Sequence, residues 1–240
     1  MSEATPPIGP GTLLGGRYLL QRWIGAGGMG RVYTARHIAL DRTFAVKILH
    51  SAFALDRIWL ERFRREARAT SSIGHENIID ITDIGLADDG SPFYVMEHLA
   101  GEPLDDTLRR DGPMPWERVQ RIAAQLCDAL AAAHHVGVIH RDIKLANIFH
   151  SPRARAPDFV KLLDFGIAKT LPRATAPATA LTMTGEVFGT PGHMAPEQFC
   201  GGDIDARTDV YALAIVLYQL LSGHLPFPGP TPRVIVEKQL

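Results

Sequence analysis

From Tyr18 to about Leu49 the chain alternates short β-favouring runs (YLLQRWI, RVYTARH, TFAVKIL) with Gly-rich or Asp-containing turns, a pattern that predicts an antiparallel meander. The texture then changes. Leu55 to Ser72 is rich in Arg and Glu and spaces Ile58, Phe63 and Ala67 for one buried stripe, which predicts the first helix. Two more strand candidates, IIDITDIGLA and PFYVMEHL, flank an Asp88-Asp89-Gly90 turn, and this mostly β part ends near Gly101. Beyond it, Trp116 to Val136 carries Val119, Ile122, Ala123, Leu126, Leu130 and Ala133 at three- and four-residue steps, a long amphipathic helix that should stop at Gly137. Val210 to Leu221 is apolar nearly all round, which predicts a helix buried in the centre of a lobe. Between these helices lie strand-like runs (VIH, NIFH, FVKLL) and a loop from Gly166 to Ala195, long enough to imply a function. The turn SPRARAPD, Ser151 to Asp158, reads as a solvated hairpin tip.

Composition narrows the choice. With 240 residues, 46% hydrophobic and 21% charged, the chain suits one large domain or two modest lobes and excludes global disorder. Twenty-five basic against 26 acidic side chains give a formal charge of -1, so no general field draws it to nucleic acid or anionic lipid, and any anionic ligand must be held locally. Only Cys127 and Cys200 occur; counting leaves one bridge open, but a reducing, cytoplasmic setting is the expectation. Residues 1–16 lack the basic start and apolar core of a secretory signal and read as a flexible Pro/Gly tail. The strongest apolar run, Val210 to Tyr218, falls short of the roughly 18 residues of a membrane span.

The candidate chemistry follows in chain order. Gly25-Ala26-Gly27-Gly28-Met29-Gly30 fits G-x-G-x-x-G, which lets backbone amides approach phosphate oxygens. A dinucleotide-binding turn and an ordinary hairpin compete with that reading, but the strand-like Arg31 to Ala35 disfavours the former, which must open a helix. Seventeen residues beyond Gly30, Lys47 stands alone in an apolar strand; a buried ammonium needs an anionic partner, and Glu66 is preferred to Glu61. His140 to Asn147 (HRDIKLAN) packs a carboxylate, an ammonium and an amide into six positions, and Asp164-Phe165-Gly166 follows Asn147 by 17 residues. Asp164 and Asn147 together offer oxygen ligands for a divalent cation.

Taken in order, the Gly-rich turn, Ala45-Val46-Lys47, His140-Arg141-Asp142 with Asn147, Asp164-Phe165-Gly166 and Ala195-Pro196-Glu197 resemble the protein-kinase signature set. The chain is most similar to the eukaryotic-like serine/threonine protein kinases of bacteria, a branch to which Gly27 to Gly30 and Asp205 to Tyr211 point. The resemblance implies an α+β, bilobal fold over residues 17–240: a small antiparallel β lobe with one helix (17–97) and a larger, mainly helical lobe (98–240). It implies ATP and Mg²⁺, with Mn²⁺ as an alternative. Gly25, Gly27 and Gly30 would cover the phosphates, Lys47 would contact them while paired to Glu66, Asp164 and Asn147 would hold the metal, and Asp142 would act as base. Adenine would sit between the lobes, under Ile24, Val32 and Ala45 and over Phe149, with Met96 as gatekeeper and Glu97 and Leu99 as the hinge. Ile81, His140, Phe165 and Thr70 match the stacked internal spine, where Thr70 is more polar than usual.

Lys144 matches the serine/threonine pattern, and Thr190 would bond near it and Asp142, so serine or threonine of protein substrates is the expected acceptor. Arg141 beside the base would take a phosphate on the 166–195 loop; Thr182 and Thr184 are the expected autophosphorylation sites, in a kinase homodimer, against the alternative of a merely flexible loop. The chain stops at Leu240, where kinases of this kind continue, so the expectation is an incomplete large lobe, with an anchor beyond Leu240 left open. Glu197 would ordinarily pair with an arginine in that further segment, and neither Arg207 nor Arg233 matches it. An active protein kinase, a pseudokinase-like scaffold favoured only by truncation, and a small-molecule kinase are the three readings in play; Lys47, Asp142 and Asp164 all being present favours the first.

Overall fold

The computed structural model describes residues 8–27, 30–50, 57–165 and 191–240. The chain forms two compact units, one from the start to Gly74 together with Ile79–Leu99, the other from His75–Ile78 and Ala100–Leu240.

The first unit holds the expected meander. Strands β1 (Leu13–Leu14), β2 (Tyr18–Gly27), β3 (Gly30–His37), β4 (Arg42–Leu49), β5 (Ile81–Leu86) and β6 (Pro92–Glu97) form one antiparallel sheet in the order β1-β2-β3-β4-β6-β5. Because side chains alternate between faces, the register divides the sheet's work. Tyr33, Ala35, Phe44, Val46, Ile48, Phe93 and Val95 join Ile8 and Leu14 in one buried cluster, so the described end of the expected flexible tail is instead held by burial and by the pairing of Leu13–Leu14 with β2. The intervening residues Val32, Ala45, Lys47, Tyr94 and Met96 belong to the opposite face, with Val32 opposite Lys47, Ala45 opposite Met96 and Lys47 opposite Tyr94. Helix α1 (Arg57–Ser72) follows β4, with Phe63 and Ala67 buried on the expected stripe; Leu55 and the side chain of Ile58 lie outside the described part. The margins of the sheet are tied: Tyr18 Oη donates to Asp83 Oδ2 at 2.9 Å and Arg17 Nη2 reaches the same oxygen at 2.9 Å. Burial, reinforced by the bond to Asp83, pushes the Tyr18 phenol up to about 12.

The second unit is mainly helical. Sequence reasoning passed over a short strand, β7 (Glu102–Pro103), and α2 (Leu104–Asp111). The long helix α3 (Trp116–His135) buries Val119, Ile122, Leu126, Ala129, Leu130 and Ala133 and is followed by Gly137 at φ 76°. Strands β7, β8 (Ile148–His150) and β9 (Val160–Leu162) form a three-stranded sheet; the run VIH is not a strand. Their hairpin tip is solvated as expected except at Asp158, which is buried and accepts from Arg118 Nε at 2.7 Å and Arg121 Nη2 at 2.6 Å, clamping the hairpin to α3. Burial pushes the Asp158 carboxyl up, but the two guanidinium bonds outweigh it and hold the group below the usual carboxylate range. Helices α4 (Pro196–Cys200), α5 (Ala206–Ser222) and α6 (Pro232–Gln239) complete the unit.

Helix α5 corrects one expectation. Ala212, Leu213, Ile215, Val216 and Leu220 are buried, but Val210, Tyr218 and Leu221 are 60%, 44% and 40% exposed among the described residues. An apolar circumference shows only that a helix can be enclosed; enclosure also requires neighbours on every side.

Replacing Tyr18 with Phe removes the bond to Asp83 and should cost about 1 kcal/mol of stability. Because folding raises the phenol's pKa, this contribution is full below the unfolded value of about 10 and fades as pH rises through about 12. Urea denaturation of wild type and Tyr18→Phe from pH 7 to 11 checks this: the gap should be constant near neutrality and narrow above pH 10.

Candidate active site

Each candidate group has a local reason for its place. Gly25 and Gly27 end β2 and Gly30 opens β3, with Gly27 opposite Gly30 across the turn. A Cβ at Gly30 would stand 2.1 Å from the Ile48 carbonyl oxygen, so that position excludes every side chain, whereas a Cβ at Gly25 would meet nothing within 4 Å. The fold therefore requires the last glycine of the motif and leaves the first to be explained otherwise. Lys47 is half-buried on β4, with its Nζ 5.8 Å from the centroid of the Tyr94 ring. Glu66 belongs to α1, one turn beyond Phe63, but its side chain, and so its expected pairing with Lys47, lies outside the described part.

The remaining first-unit candidates lie on neighbouring strands. Ala45 and Met96 are buried and face each other across β4 and β6, Val32 is half-buried, and Ile24 is 41% exposed. Glu97 exchanges two bonds with Asp80, through its backbone N–H and its carboxylate, and so fixes the start of the segment that reaches Leu99. Thr70 is buried and its hydroxyl has no hydrogen-bond partner among the described residues, which gives the polar residue of the expected spine a physical cost. Ile81 is buried nearby in sequence order at the start of β5, its carbonyl accepting from Ser71 Oγ at 2.9 Å.

In the second unit the segment His140–Asn147 is organised around one carboxylate. Asp209, fully buried in α5, accepts from His140 N and Arg141 N at 2.8 Å each, and from His134 Nε2 of α3 at 2.7 Å. His140 is itself fully buried: its Nε2 donates to the Leu163 carbonyl at 2.8 Å, which leaves Nδ1 to accept from Asp142 N at 3.2 Å. Burial pushes this imidazole down, against the pull of Asp209, and keeps it neutral in the tautomer those bonds need. Its ring lies 4.5 Å from that of Phe165, so two members of the expected spine are in contact.

This framework presents Asp142. Its Oδ2 receives Lys144 Nζ at 3.1 Å and Asn147 Nδ2 at 3.1 Å, while Asn147 Nδ2 also donates to the Asp142 carbonyl at 2.8 Å. With its amide protons engaged there, Asn147 has Oδ1 left as an acceptor. The Asn147 carbonyl accepts from Leu163 N at 2.8 Å, linking this segment to the one that carries Asp164. Arg141 and Asp164 have φ of 66° and 53°, two of the three positive values among described non-glycine residues; such strain persists only where surroundings enforce it. Arg141's carbonyl accepts from Gln198 at 3.1 Å, and its buried Nε has no hydrogen-bond partner among the described residues. Phe149 is half-buried on β8.

Thr182, Thr184 and Thr190 lie outside the described residues. Glu197 accepts from Thr208 Oγ1 at 2.6 Å, while Arg207 and Arg233 pair with Asp205 and Glu237. Asp209 lies in the Asp205 to Tyr211 stretch, to which the sequence assigns no chemical role, and neither His134 nor Gln198 stands out by sequence. The signal for Asp209 was present: one carboxylate in an otherwise apolar helix must find donors or carry a large burial cost.

Comparison with known proteins agrees with the geometry. The protein kinase domain family matches residues 18–240. The serine/threonine-protein kinase pkn3 of Myxococcus xanthus is 46% identical over 224 residues, covering 93% of this chain and 41% of that protein. The serine/threonine-protein kinase PknB of Mycobacterium leprae is 43% identical over 231 residues, covering 95% and 35%. The chain thus spans about two fifths or less of the length of these relatives. The crystal structure of the Mycobacterium tuberculosis PknI kinase domain superposes with a TM-score of 0.73 at 28% identity, covering 92% of this chain and 78% of that one. Among the described residues no helix is long and apolar enough to cross a membrane. With the family matched across residues 18–240 and the His140–Asn147 segment set in one hydrogen-bonded framework around Asp142, the chain belongs to the protein kinase domain family.

Proposed function

We propose that this chain is a serine/threonine protein kinase that transfers the γ-phosphoryl group of ATP to hydroxyls of protein substrates. One observation carries the reading: Lys144 and Asn147 converge on Oδ2 of Asp142, on a segment whose backbone is held by the buried Asp209. Asp142 would orient the incoming hydroxyl and accept its proton. Lys144, already beside that carboxylate, would steady the phosphoryl group in flight. The loose transition state leaves the protein mainly positioning and electrostatic tasks, and a rigidly fixed carboxylate suits them.

The family implies ATP and a divalent metal, and the donors fit a hard cation: a carboxylate on Asp164 and the amide Oδ1 of Asn147. Two protein oxygens are few for a metal held alone, and no cluster of three ligating His, Cys, Asp or Glu occurs among the described residues. They suit Mg²⁺, which binds through one or two side chains and the substrate's own phosphates. When bound, the ion would neutralise charge on the phosphate oxygens. Lys47 would bind those phosphates as a point charge, and the open space at Gly25 supports close approach to its backbone. Ile24, Val32, Ala45 and Met96 would offer the adenine an apolar surface, with Phe149 contributed by β8, and the backbone of Glu97 and Leu99 would bond its edge.

Regulation follows the same chemistry. The buried Nε of Arg141, without a partner among the described residues, favours an anionic one, and phosphate on Thr182 or Thr184, placed there by a second copy of the chain, would supply it. Thr190 would assist Asp142 and Lys144.

Lys47→Met and Asp142→Asn should each lower phosphate transfer by at least about a hundredfold with an unchanged melting profile; radiolabelled ATP with a generic basic protein measures it, and turnover near wild type would refute the roles. Asp209→Ala should leave His140 N and Arg141 N unpaired and cost about 2–5 kcal/mol of stability, read by thermal denaturation. After incubation with Mg²⁺ and ATP, phosphopeptide mapping should find phosphate on Thr182 or Thr184; phosphate on neither would remove the regulatory proposal.

A further inference from the structure

We infer that Tyr94 is a positioning residue for Lys47, its ring holding the ammonium in place and transmitting to it the seating of α1. The inference rests on the reading of Lys47 as a phosphate-binding group. Lys47 and Tyr94 are directly opposite in the β4–β6 register, so their side chains leave the same face of the sheet. Lys47 Nζ lies 5.8 Å from the ring centroid, within the roughly 6 Å over which an aromatic face attracts a cation. Tyr94 is 3% exposed, so its ring cannot swing away from the ammonium into solvent. Phe63 of α1, 1% exposed, packs against the Tyr94 ring with centroids 6.3 Å apart and planes at 40°, a spacing typical of aromatic pairs.

The chemistry explains why a ring is useful at this position. A lysine on a strand has a flexible four-carbon stem, and ordering it costs rotamer entropy each time a phosphate binds. An aromatic face attracts the cation through its quadrupole and itself takes none of the ammonium's N–H donors, so it orders the stem in addition to whatever those donors bond. Leu or Ile would offer an apolar surface there without that attraction. The contact with Phe63 adds a consequence: a displaced α1 removes an aromatic neighbour of the ring and loosens Lys47 through packing alone.

The test compares Tyr94→Leu, Tyr94→Phe and Phe63→Leu with wild type. Tyr94→Leu should lower kcat/KM for ATP about five- to tenfold, Tyr94→Phe less than twofold, and Phe63→Leu by an intermediate factor that does not depend on Tyr94→Leu folding. A second readout needs no activity. In nucleotide-free protein labelled with ¹³C-lysine, the Lys47 ε-methylene resonance, identified by its absence in Lys47→Met, should lose its ring-current shift in Tyr94→Leu and keep it in Tyr94→Phe. An unchanged resonance in Tyr94→Leu, or equal losses of kcat/KM in the Leu and Phe variants, overturns the inference. A resonance that responds as stated in a wild-type protein unable to transfer phosphate upholds the positioning contact and removes the kinase reading instead.

Discussion

The placement of the segment that carries Asp142 depends on one fully buried carboxylate. Asp209 reaches from α5 to two successive backbone N–H groups, those of His140 and Arg141, and to the imidazole of His134 on α3. These bonds solve a mutual problem, because a charge fully out of water needs donors and the buried N–H of His140 needs an acceptor. They also have a geometric result. Two consecutive amides pinned to one rigid group permit little freedom to the next residue, and the next residue is Asp142. The positive φ of Arg141 is held by the same bonds, together with Gln198 at its carbonyl.

A second tier of contacts aims the acid. His140, neutral because burial disfavours its charged form, spans from the Leu163 carbonyl to Asp142 N. Asn147 closes the turn from the other side and ties it to the strand leading to Asp164. The first unit applies a different device to Lys47. There the strict alternation of strand faces puts the lysine among Val32, Ala45, Tyr94 and Met96, opposite the cluster that Phe44, Val46 and Ile48 help to form. A shift of register by one residue would bury the ammonium in that cluster, so correct pairing is enforced by the cost of the alternative.

Much of this was legible in the sequence, for reasons that differ by element. The meander and α3 announce themselves through period, because one buried face leaves a repeating apolar trace. The residues around Asp142 announce themselves through spacing and motif. What escaped was long-range: Asp209 and His134 act on a segment distant in the chain, and no local pattern shows which backbone groups a buried carboxylate will meet. The exposed side of α5 escaped for a related reason, since hydropathy describes what a helix tolerates rather than what surrounds it. Asp158 misled because a charged residue in a polar turn looks solvated until two arginines of α3 are placed against it.

The central claim is that a nucleotide with its divalent cation is the ligand these residues are arranged to hold. Isothermal titration of the chain with ATP, with Mg²⁺ and again with EDTA, tests this most directly. The account predicts saturable binding with Mg²⁺ that weakens at least tenfold on chelation. No heat of association under either condition, or affinity indifferent to the metal, would contradict it.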